Sequence, residues 1–263
     1  MSAFAIGDVA SRPSSSPSDL AFNYRYVIDR AVQVGGRALD YGCGTGLAIA
    51  YGRSRGLDIV GTDTFEGAFA HWRGEGASGT AGYIHPIVDG RAPFPADAFD
   101  CVISNQVLEH VREPALVIAD MRRVLKPGGL AIVTFPSREA WWEGHVGVYF
   151  AHRLQHYPAL RRRYLDLYHR LGLGWFRENK TREEWVAGSV TVLDTACFYH
   201  RARAVIAEVE RVFGGPVRDL SADYMRARFG AVSRLMPSAA DSLLRFAYRV
   251  RAGVALEVRK ASQ

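Results

Sequence analysis

Apolar residues in this chain fall into two patterns, short unbroken runs and stretches at helical spacing, and the two take turns. Leu20, Tyr24, Val27, Ile28 and Ala31 recur at helical spacing, which predicts a helix over 19–34 capped by Asp19. An apolar run through Leu39 ends in Asp40 and breaks into Gly42-Cys43-Gly44-Thr45-Gly46, the pattern of a strand, a tight turn and a helix to about residue 55. A second apolar run over 57–63 also ends in an acid, Asp63, and further strands are expected over 83–88, 99–105 and 130–135. A helix over 114–125 precedes the last of these and is closed by Lys126-Pro127-Gly128-Gly129. Beyond residue 136 the pattern turns mostly helical. It predicts helix over 149–176, a short helix opened by Thr181-Arg182-Glu183-Glu184, and a strand-like or extended stretch over 190–199. A helix over 201–213 then stops at Gly214-Gly215, and strands over 217–220 and 254–258 flank helical pattern at 223–251. No internal repeat is evident.

Three glycines in five positions mark a loop wrapped closely around something bound. A dinucleotide fingerprint would need a glycine where Leu47 stands, and Asp40 would repel a pyrophosphate lying there. An amino group suits Asp40 better. Asp63 follows the loop by the length of one helix and one strand, so its carboxylate is placed to accept both hydroxyls of a ribose.

With the acid-x-Gly-x-Gly-x-Gly block at Asp40–Gly46, the chain resembles the class I S-adenosylmethionine (SAM)-dependent methyltransferases, type 11-like and of the small-molecule branch. The resemblance covers about residues 37–136 in five linked blocks. It implies a Rossmann-like α/β fold: a seven-stranded, mostly parallel sheet with an antiparallel last strand and a helical insert after strand five. It implies SAM as cofactor, with Asp40, Gly42, Cys43, Gly44 and Gly46 around the methionine half, Asp63 and Thr64 at the ribose and Asp89 at the adenine amine. Asn105 and Gln106, at the end of strand four, are implied to lie beside the methyl group.

Trp141, Trp142, Glu143, His145 and Tyr149 form the densest group of aromatic and titratable residues in the chain, where an acceptor pocket would be roofed. A hydroxyl acceptor must lose a proton, and His145 is the leading candidate to take it, with Glu109 and His110 beside the reaction centre. Gln106, Glu109, His110 and the distant His145 also look like the arrangement by which some RNA 3′-terminal and quinone-pathway O-methyltransferases hold Mg²⁺. Gln106 removes an acid from such a hard-cation site, so no metal is expected. Tyr24 or Arg25 could reach the donor, and Asp194, Tyr199 and His200 are further pocket candidates at lower weight.

With 263 residues, 48% of them hydrophobic, the chain can bury one substantial core. The expected organisation is a flexible 1–18 and one domain over 19–263, divided into a cofactor core (37–136), a helical lid (137–190) and a C-terminal cover (191–263). Three separate cysteines, no leader pattern and no long apolar run point to a reducing, cytoplasmic setting. The net charge of +6, carried by 30 arginines and 3 lysines, fits anionic partners or only the base composition of the coding DNA. The reading is methyl transfer to a small-molecule hydroxyl in a cell-surface sugar or secondary-metabolite pathway. Three rivals stand beside it: an RNA methyltransferase using the arginines of 153–170, a non-catalytic SAM-binding interaction protein and, least of all, an oxidoreductase. Nucleic acid is not the expected partner, peripheral membrane contact through the insert stays open, and the oligomeric state is not legible.

Overall fold

The computed structural model describes residues 20–66 and 79–262. The flexible segment expected over 1–18 and the Asp19 cap lie outside the described residues. A seven-stranded sheet carries the chain: β1 (Arg37–Tyr41), β2 (Asp58–Asp63), β3 (Ile84–Pro86), β4 (Phe99–Asn105), β5 (Leu125–Phe135), β8 (Arg218–Asp219) and β9 (Val254–Arg259). Their order across the sheet is β3-β2-β1-β4-β5-β9-β8, and β9 runs antiparallel between its two neighbours.

Period-two alternation inside the strands builds a core on each face of the sheet. Leu39, Val102, Val133 and Leu256 point to one face, where they meet α3 (Pro114–Val124) and α6 (Ala202–Phe213) through Ile118, Met121, Val205 and Phe213. Ala38, Ile103, Ile132 and Ala255 point to the other, under α1 (Phe22–Val34), α2 (Leu47–Ser54), α7 (Ser221–Phe229) and α8 (Asp241–Arg251). Because β1 connects to β2 on one side while β4 lies on its other, a crevice opens at the carboxyl ends of β1 and β4. Open α/β sheets bind ligands in that crevice.

The insert after β5 has a small core of its own. A hairpin of β6 (Trp142–Glu143) and β7 (Val148–Tyr149) leads through a 3-10 turn to α4 (Pro158–Arg170) and α5 (Arg182–Thr195), all packed around fully buried Trp185. Two expectations change here. The stretch over 190–199 is not strand-like, because α5 continues to Thr195. Its capping box at Thr181 and Glu184 starts a helix that no breaker stops, and the Thr191 and Thr195 hydroxyls donate to carbonyls one turn back. Nor does Arg161 belong to a solvated basic face: it is 1% exposed, and its Nη2 donates to both Asp194 oxygens at 2.7 Å. Asp194 is thereby removed from the pocket candidates.

Among the described residues Arg161 Nε and Nη1 have no partner, so Asp194 is the acid that balances this buried guanidinium there. Asp194→Ala is therefore expected to lower the melting temperature by about 5 °C, since unpairing a buried charge costs several kcal/mol, less here because Asp194 is half exposed. An unchanged thermal melt would show that solvent takes over the role of Asp194.

Candidate active site

The glycine loop leaves β1 at Tyr41 and turns under tight constraint. Gly42 has φ +82°, and a Cβ there would lie 2.4 Å from Val107 Cγ2, so only glycine lets the loop press against the segment after β4. Gly46, at φ +80°, opens α2 under the same restriction, with Ile84 in the way of any side chain. The Cys43 side chain packs against Gly61 of β2, which places this residue in the loop's support and not on its open side.

Loop amides are largely consumed internally. Gly42 and Cys43 N–H donate to Thr62 O at 2.7 and 3.1 Å, Gly46 N–H to Cys43 O at 2.9 Å, and Gly44 N–H to Asp63 Oδ2 at 2.8 Å. An anion cradle needs free N–H groups, so the loop is not a phosphate site. Its polar character is acidic instead. Asp40 is 3% exposed and has no hydrogen-bond partner among the described residues; burial, and then the charge of Asp63, push its carboxyl up to about 7. Asp63 is raised by burial, held back by the amides of Phe65, Gly44 and Thr64. Each Asp63 oxygen accepts one backbone N–H, from Gly44 or Phe65 (3.1 Å), which leaves lone pairs for a diol. From α1, the Tyr24 phenol is pushed up to about 12 by burial and by the charges of Asp40 and Glu109.

Across the crevice, Asn105 Oδ1 accepts from Thr134 Oγ1 at 2.6 Å while its buried Nδ2 has no partner. Gln106 adopts a left-handed φ of +60° and turns its Nε2 toward Thr134 Oγ1 at 3.4 Å. Asp89 is exposed at the tip of a two-residue turn closed by paired Val88 and Arg91. Its place follows Ile87, whose N–H donates to Asp63 O at 2.8 Å.

Beyond the end of β4 lies the second half of the site. His110 Nδ1 is 2.6 Å from Ala196 O, and since a carbonyl only accepts, that nitrogen carries the proton and Nε2 is left as an acceptor. His145 Nε2 faces it at 3.3 Å and therefore donates. On its other side, His145 Nδ1 donates to Glu143 Oε1 at 2.7 Å, with Tyr199 OH at 2.9 Å and Cys197 Sγ at 3.6 Å. Both His145 nitrogens being donors, the ring is an imidazolium facing the fully buried Glu143 carboxylate. Burial opposes that charge, but Cys197 and Glu143 outweigh it and lift His145 well above the usual histidine range. Glu143 is held at about 2 against its burial by His145, Tyr199 and the Val146 amide. Burial and the neighbouring charge push His110 down to about 3. Burial lifts Glu109, with its orphaned Oε2, to about 8.

The structure thus gathers Glu109, His110, His145 and Tyr199, while His200 turns its Nε2 to Val111 O at 2.8 Å. Sequence reasoning did not assign Glu143 its part; its position two residues before His145 was the available signal. Cys197 carried no signal at all. One ligand atom each from His110, His145 and Cys197 lies within 4.8 Å of the others, a donor set that could also hold a metal ion.

Residues 39–133 match the sequence family described as a methyltransferase domain. The chain is 36% identical over 105 residues to the ubiquinone biosynthesis O-methyltransferase of Hahella chejuensis, covering 39% of this chain and 44% of that protein. It is 32% identical over 108 residues to the protein of the same name from Psychrobacter cryohalolentis, covering 40% and 42%. These matches span less than half the length of the two relatives. Among solved structures, an S-adenosylmethionine dependent methyltransferase from Mesorhizobium loti superposes with a TM-score of 0.52 at 16% identity, over 93% of this chain and 100% of that one, which is a likeness of fold.

Proposed function

We propose that this chain, whose residues 39–133 form a class I SAM-dependent methyltransferase domain, moves the methyl group of SAM to a hydroxyl of a small molecule. The observation that carries the reading is the acidic, amide-poor crevice: an orphaned buried Asp40 beside Asp63, at the carboxyl ends of β1 and β2. SAM fits it, because its ammonium matches Asp40 and its ribose diol matches the lone pairs left on Asp63. When bound, SAM would supply a methyl carbon on a sulfonium, open to in-line attack by an oxygen with a neutral thioether as the leaving group. In this reading Asn105 and Gln106, at the end of β4, stand beside that carbon, and Asp89 at the rim is assigned to the adenine amine.

The acceptor hydroxyl must lose its proton as its oxygen bonds to the methyl carbon. Neither histidine is free to take it, since His110 is held at about 3 and His145 already carries a proton on both nitrogens. Glu109, lifted to about 8, with Oε2 orphaned among the described residues and Oε1 3.8 Å from His110 Nε2, is the group that takes it when ionised. The base role first given to His145 passes to Glu109 in this reading, and His145, charged against Glu143, stabilises the developing oxyanion. A second reading, in which a divalent cation assists, is favoured by the 3.3 Å between the two Nε2 atoms and by the orphaned Glu109 oxygen. His110, His145 and Cys197 would hold it. Imidazole and thiol suit a borderline ion such as Zn²⁺ better than Mg²⁺, and it would acidify the acceptor hydroxyl.

The family match ends at residue 133, so Glu109 and His110 lie inside it, while Glu143, His145, Cys197 and Tyr199 on the acceptor side lie outside it. A sugar or secondary-metabolite hydroxyl remains the finer assignment. The RNA alternative is weakened by how the insert's arginines are used: Arg161 is buried on Asp194, and Arg170 shares Asp166 with Arg182.

Thermal melts with SAM, S-adenosylhomocysteine and NAD test the donor. At 100 times its dissociation constant a ligand adds about 2.7 kcal/mol, a shift of roughly 5–10 °C for this length. Both sulfur compounds are expected to stabilise and NAD is not. The ammonium binds ionised Asp40, whose free carboxyl titrates at about 7. SAM affinity should therefore hold above pH 7 and fall by up to about tenfold per unit below it. A melt that responds to NAD alone, or a SAM affinity flat from pH 5 to 7, counts against this assignment.

A further inference from the structure

The connection between α7 and α8 presents large apolar side chains to solvent instead of burying them. Leu235 is 86% exposed, and Phe229, Val232, Leu243 and Phe246 are each about half exposed or more. On α8, Leu243 and Phe246 lie one turn apart on the outer side, while Leu244 and Tyr248 face the core. The feature is built, not frayed. Arg226 donates through Nη1 to Ser233 O at 3.2 Å and Met236 O at 3.0 Å, and through Nη2 to Pro237 O at 2.9 Å and Asp241 Oδ1 at 2.6 Å. One guanidinium thus fixes the whole connection and holds its apolar tip outward.

The charge around that tip is one-sided. Residues 226–251 contain six arginines and a single acid, Asp241, which Arg226 already occupies. Arg228 and Arg245 are exposed beside the apolar residues. Arg249 is paired with Asp219 and the Arg228 guanidinium lies over the Phe22 ring, but protruding aliphatic and aromatic side chains flanked by cations in excess of acids match the acyl boundary and phosphates of an anionic bilayer. A second copy of the chain matches poorly, because a two-fold contact would bring arginines against arginines.

We propose that the α7–α8 connection is a peripheral docking surface for anionic lipid bilayers, with Val232, Leu235 and Phe246 entering the interface and Arg228 and Arg245 meeting lipid phosphates. This is a different place from the insert, where the basic helical pattern first suggested a membrane contact. The proposal is independent of the methyl-transfer reading. None of the described helices is long and apolar enough to cross a membrane, so the contact lies in the surface plane.

The test is flotation of the full chain with vesicles of phosphatidylcholine alone and of phosphatidylcholine with phosphatidylglycerol, at low and high salt. Binding is expected to the anionic vesicles only, and to weaken with salt. The double variant Leu235→Asp, Phe246→Asp should lower the partition coefficient about tenfold or more. Leu160→Asp on α4 should leave it unchanged, and Arg245→Glu alone should lower it without touching the apolar tip. Circular dichroism melts confirm that each variant is folded. The proposal is overturned if the chain ignores anionic vesicles, if the double variant binds as the parent does, or if the parent forms a dimer that the double variant abolishes.

Discussion

Asp63→Ala is expected to weaken SAM binding on the order of 10³-fold, because two hydrogen bonds to a charged group are each worth about 1.5–3 kcal/mol. Two losses combine in that figure. The carboxylate offers its remaining lone pairs to the ribose diol, and it also receives Gly44 N–H at 2.8 Å and Phe65 N–H at 3.1 Å, so it holds the glycine loop in shape. Asp63→Asn separates these parts. Its amide keeps one acceptor oxygen and only one, so it should bind SAM better than the alanine variant but remain well below the parent. Calorimetric titration measures both. An alanine variant that binds within a few-fold of the parent would remove Asp63 from the ribose site and leave Asp40 and Asp89 as the donor's charged partners.

His145→Ala is the second large effect: turnover on a hydroxyl acceptor should fall by about 10²–10⁴, the usual contribution of a positioned acid or base, with SAM affinity unchanged. The donor crevice and the histidine pair are built by different segments, so the two functions can be separated. Glu143→Gln should cost less, because a neutral amide still orients Nδ1 but no longer balances the charged ring. Cys197→Ser distinguishes the two mechanistic readings. Under proton transfer alone the hydroxyl is nearly silent, whereas under metal assistance it weakens retention of Zn²⁺ and slows turnover together. Full activity of His145→Ala on an authentic acceptor would end both readings.

The donor half of the site was legible because its chemistry is local. Asp40, the glycines and Asp63 lie within 24 consecutive residues, and strands buried on both faces leave unbroken apolar runs that point to them. In the acceptor half the candidates Glu109, His110, His145 and Tyr199 were legible but their pairing was not, because they meet only through tertiary structure: His110 with His145 across 35 positions, and Tyr199 with His145 across 54. The β6–β7 hairpin has two-residue strands, too short to carry a period. In 190–195, β-branched residues imitate a strand, but burial of Val192 and Leu193 on the insert's core overrides propensity. Arg161 shows the same limit, since nothing in a run of arginines tells which one is buried.

The position of β9 governs how the chain is made. It follows every other described element, yet it fills an interior slot of the sheet, pairing with β5 from Leu130↔Arg259 to Phe135↔Val254 and with β8 on its far side. Until those residues emerge from the ribosome, a nascent chain holds the whole glycine loop and most of both cores, but β5 keeps an open edge of unpaired N–H and C=O groups. Such an edge pairs with any strand that reaches it, so the interval before β9 arrives is when newly made copies are most exposed to one another.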